Sequence, residues 1–114
     1  MRISTSLNLD INSEFLRNYF KYMVNCFFKI LPLREEEEKT LTIYMRSLQV
    51  ELMGCKSLIS HLDNDAMFLT LLAILQYLID NPTCPVYVVK REVFKAISVC
   101  NELERKYSND EVKT

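Results

Sequence analysis

The chain has 114 residues, with 14 Lys and Arg against 15 Asp and Glu and a formal net charge of −1. That length fits one domain, 1–114, which buries somewhat over ~60% of its unfolded surface. The near-balance of charge excludes nucleic acid or an acidic membrane surface as a partner held by bulk electrostatics alone. Hydrophobic residues at 49% are too many for a disordered chain, and one Gly with three Pro is too few for the turns of a β-sandwich or barrel. The expected class is all-α: a compact bundle of about four helices with an extended N-terminal arm.

Residues 1–11 (MRISTSLNLDI) show no helical period and are expected to form that arm. They lack the apolar core and small-residue cleavage pattern of an export signal, which makes the cytoplasm the default compartment. A first helix is expected over 12–31. Asn12 or Ser13 is placed to accept its free N–H groups, Glu14 to oppose its dipole and Pro32 to end it. Six of the chain's twelve Phe and Tyr residues fall here (Phe15, Tyr19, Phe20, Tyr22, Phe27 and Phe28), on more than one face, which asks for cover on more than one side.

The run Glu35, Glu36, Glu37 and Glu38 is expected to occupy the first turns of a second helix over 34–62. There the carboxylates oppose the dipole and Glu35 pairs with Lys39 at i,i+4. The functional alternative is an acidic contact patch for a basic partner. Within the helix Leu41, Met45, Leu48, Leu52, Cys55, Ile59 and Leu62 alternate by gaps of four and three, a strict heptad seam suited to a bundle interior or to an intermolecular coiled coil. At about 1.5 Å per residue the helix spans roughly 40 Å, enough to be the spine of the domain.

A thinner strip, Ile43, Val50, Gly54 and Leu58, lies on its opposite side. A glycine inside a helix costs about 1 kcal/mol relative to alanine, which is explained if another helix approaches there. The strip is therefore the candidate self-association surface of a homodimer. Glu51 sits at the margin of the seam beside Tyr44 and Leu58 and is expected to reach solvent or a tyrosine hydroxyl rather than to act as a buried acid.

His61 falls in the last turn of this helix, without the second His or the Glu-x-x-His spacing of a metal site. Asp63, Asn64 and Asp65 compete to cap a third helix over 65–80. Its AMFLTLLAILQYLI segment is too short to span a membrane and is expected to be a central helix covered all round. Asn81 and Pro82 stop it. A fourth helix is expected over 85–106, although Val86 to Val89 also suits a strand, and 108–114 as a frayed tail.

Cys26, Cys55, Cys84 and Cys100 have no zinc spacing and are expected to be reduced, packed thiols. Cys84 stands apart, because it precedes a helix start. With one His, no phosphate loop and no nucleophile beside a base, the sequence argues against an enzyme and implies no cofactor and no metal.

The function expected is that of a small interaction module, a regulator, inhibitor or immunity-type protein that binds another protein. The alternative is a DNA-binding transcriptional regulator using the basic patch Lys90, Arg91 and Lys95, with nucleic acid the lesser expectation.

Overall fold

The computed structural model describes residues 2–4, 10–36, 38–58, 62 and 64–113, and side chains over 14–36, 38–57, 62 and 64–107. Glu37, Ile59, His61, Asp63 and the Leu58 side chain, all assigned roles from the sequence, lie outside these. The protein is an all-α bundle, as its composition implies. The arm is extended, but it folds back on itself: β1 (Arg2–Ser4) pairs antiparallel with β2 (Asp10–Asn12), Ile3 opposite Ile11.

Helix α1 (Ser13–Phe28) ends three residues short of expectation, and a five-residue helix α2 (Ile30–Arg34) follows. Proline 32 explains both. Its ring clashes with the carbonyl four residues back, that of Phe28, and it has no N–H to offer it, yet in the first turn of α2 no N–H is needed. Helix α3 (Glu38–Leu58) therefore starts later than residue 34. Of the described residues of the acidic run, Glu38 is on it, in the first turn, while Glu35 and Glu36 form the preceding bend, exposed. The Glu35–Lys39 pair is thus not an intrahelical one.

The α3 seam is interior: Leu41, Met45, Leu48 and Leu52 are buried and Cys55 is half-buried, so it seals the bundle rather than an intermolecular coiled coil. Helix α3 is nevertheless not the spine. That place belongs to α5 (Val86–Lys113), whose 28 residues at about 1.5 Å each run nearly the full 45 Å of the molecule. Val86 to Val89 is helical, and no Gly or Pro after Pro85 stops the helix, so 108–113 continues it instead of forming a frayed tail. The antiparallel α1/α5 pair packs most extensively, α4 (Ala66–Asp80) lies against α5, and α3 closes on α4 and α2.

Helix α4 is covered on two sides only. Phe68, Leu71, Leu75 and Leu78 are buried, while Leu69, Ala73 and Tyr77 face outward, so the expectation of cover all round is corrected. Its first turn is fixed by Asp65, the one of the three competing caps that the structure selects. Asp65 has extended backbone, and its Oδ1 accepts from the N–H groups of Met67 (2.9 Å) and Phe68 (3.1 Å). Its Oδ2 meets Lys106 Nζ at 2.6 Å and faces the Tyr107 hydroxyl. The Tyr107 ring stacks on Phe20 (centroids 5.9 Å apart), and Phe20 meets Phe68 edge-on at 6.3 Å. One buried carboxylate thereby ties α4 to α5, and the rings beside it bring in α1.

Asp65→Ala removes a cap and leaves two donors and a cation without their partner, and is expected to cost about 3 kcal/mol in urea unfolding. Asp65→Asn keeps the acceptor for the backbone and is expected to cost about 1 kcal/mol, since Lys106 is itself largely solvated.

Candidate interaction surfaces

Burial of the seam leaves the other side of α3 in solvent. Ile43 and Val50 are 57% and 71% exposed, Met53 is exposed, and a Cβ placed on Gly54 meets nothing within 4 Å. Among the described residues no helix of its own chain therefore explains Gly54. Ile43, Arg46, Ser47 and Val50, at i, i+3, i+4 and i+7, enclose a shallow depression on this face.

A second face was legible only in part. Lys90, Arg91 and Lys95 are all exposed on α5, but Glu92, buried beside them, accepts from Arg91 Nε at 3.0 Å and lies 3.8 Å from Lys95. Two of the three cations thus share one carboxylate, which raises the Arg91 pKa above its ordinary value and lowers the field this patch projects. Interleaved with them are aromatic rings the sequence reading passed over. Tyr87 is 70% exposed, Phe94 is exposed and meets Phe28 of α1 edge-on at 5.9 Å, and Tyr77 of α4 lies near Arg91. The signal was present in the spacing: Tyr87, Arg91, Phe94 and Ser98 recur at gaps of four, three and four, outside the buried line Val89, Val93, Ala96, Cys100, Leu103.

The α1 and α3 backbones approach less closely than the other neighbours, and long side chains fill the seam. The Tyr44 hydroxyl donates to the Cys26 carbonyl at 2.7 Å, and the buried Tyr19 hydroxyl faces the Cys55 thiol. Tyr22 reaches Cys26 and Glu51, which push its hydroxyl up to about 12. Glu51 is exposed beside it, as expected, at the edge of a cleft of about 140 Å³ shared with Lys29 and Ser47.

Desolvation pushes Cys55 up to about 11 and Cys100 up to about 12, raises Cys26, and raises Tyr19 and Tyr44. A thiol raised by burial is the reverse of one activated as a nucleophile. Cys84, half-buried, accepts at its carbonyl from Arg34 Nη2 at 2.9 Å.

The acidic residues Glu35, Glu36 and Glu38 sit at the end of the bundle shared by the α2–α3 and α4–α5 connections. All three are exposed. Among the described residues no helix is long and apolar enough to cross a membrane. Comparison with protein-family models, curated proteins and solved structures gives no match for this chain.

Groups whose folded pKa is raised favour the protonated fold, so their contribution is intact below the unfolded thiol value of 9.0 and is lost as pH rises toward the folded values. The urea midpoint is expected to fall with pH above about 9, and Cys55→Ser is expected to flatten that fall between about 9 and 11.

Proposed function

We propose that this protein acts by contact, as a small non-enzymatic module that docks an acidic surface of another protein on the aromatic and basic face of α5. The observation that carries this is the exposure of Tyr87, Arg91 and Phe94 along one face, continued by Phe28 and Tyr77 from the neighbouring helices. Tyrosine and arginine are the residues that dominate binding energy at interfaces, because each combines a broad apolar body with a polar end. A minimal bundle needs none of these rings outside. Lys90, Arg91 and Lys95 favour an acidic partner surface, and Glu92 pairs with two of them. The carboxylate also speaks for a protein partner over nucleic acid, since it offsets the charge that phosphate binding uses.

A photo-crosslinking residue at Ser98, exposed on the same face, tests this in the native host. The expected product is a discrete adduct to an acidic segment of another protein, insensitive to nuclease and reduced about tenfold or more by Arg91→Glu with Phe94→Ala. An adduct removed by nuclease, or one indifferent to these substitutions, contradicts the reading.

A further inference from the structure

We propose that a second copy of this chain covers the outer face of α3, the two α3 helices lying parallel about a two-fold axis. The face is a second heptad line. Ile43, Ser47, Val50, Gly54 and Ser57 recur at gaps of four and three, opposite the buried seam, and all five are exposed. It alternates large and small positions, Ile43 and Val50 with Ser47 and Gly54. The open space at Gly54 lets a facing backbone come close, and the depression bounded by Ile43, Arg46, Ser47 and Val50 has the four-residue outline in which a facing helix seats a side chain.

Charge decides both the occupant and the orientation. One border of the line carries Lys39 and Arg46, seven residues apart, and the other carries Tyr44 and Glu51, also seven apart. In a parallel pair each residue of the first border faces the residue five places further along on the second border of its partner. Arg46 then faces the partner's Glu51, and the two-fold axis makes the pair twice. In an antiparallel pair each border faces its own copy, so Lys39, Arg46 and Met53 meet one another, Glu51 meets Tyr44 or itself, and no opposite charges pair. The face is therefore complementary to itself in one orientation. Helix α3 meets α4 and α2 through its buried side, which leaves this face outside, and its Glu51 border adjoins Tyr22 of α1 and Lys29 across the cleft described above. This surface is distinct from the α5 face, and either can fail without the other.

Light scattering on the full chain at about 100 µM is expected to give twice the 13.5 kDa of one chain. Arg46→Glu and Glu51→Arg are each expected to raise the dissociation constant about tenfold, and the double exchange to restore it. Ser47→Cys and Ser57→Cys, made separately and oxidised, are each expected to form a disulfide to their own copy that the wild type does not form. No single antiparallel register places both positions next to themselves. All four substitutions are at exposed positions, and an unchanged far-UV circular dichroism spectrum confirms the fold of each variant. A monomeric wild type, a dimer indifferent to Arg46→Glu, a double exchange that fails to restore it, or the loss of either crosslink overturns the proposal.

Discussion

The structure turns on Asp65. The longest helix packs against α1, α4 and α2, and because hydrophobic contact is itself non-directional, a directional polar contact adds to the interlocking of side chains in setting their register. The Asp65 carboxylate supplies that register. One oxygen fixes the first turn of α4 by taking its Met67 and Phe68 N–H groups, and the other takes a cation from α5 forty-one residues later in the chain. The Phe20, Phe68 and Tyr107 rings then lock α1 to the same corner. At the opposite end Asn81 closes α4 through the Tyr77 carbonyl, and Arg34 holds the α4–α5 connection at Cys84. Polar contacts at both ends position a core that is otherwise apolar.

With the helices held in this way, the outward faces follow from geometry. Helix α5 buries Val93, Cys100 and Leu103, and this places Tyr87, Arg91 and Phe94 in solvent on the other side. Helix α3 buries Leu41, Met45 and Leu52, which leaves Ile43 and Val50 outside. The core does not need either set. The same packing that buries Cys26, Cys100 and Tyr107 presents apolar and charged groups on the outer faces of α3 and α5.

How far the sequence foretold this varies by residue. The heptad seam of α3 and the capping of α4 by a residue of the Asp63–Asp65 cluster were legible, because both are set by spacing within one helix. The break between α1 and α2 was half legible: Pro32 marks it, but a proline acts on the carbonyl four residues earlier, so the helix stops at Phe28 rather than beside the ring. The Asp65–Lys106 pair was not legible, since no local pattern joins residues so distant. The outer face of α4 misled because high mean hydropathy does not say which residues point inward, and Leu69 and Tyr77 count toward it as much as Phe68 does. The aromatic face of α5 was legible only once the helix was known, because Val86 to Val89 also suits a strand, in which Tyr87, Arg91 and Phe94 would not share a face.

The account makes the capped start of α4 part of the most stable unit of the fold, and native-state hydrogen exchange at the Met67 and Phe68 amides tests that directly. Both amides are predicted to exchange only through global unfolding, with the same opening free energy as the best-protected amides of α5. Exchange of either amide by local opening, at a rate near that of an exposed loop, would contradict the claim that Asp65 sets the register of the bundle.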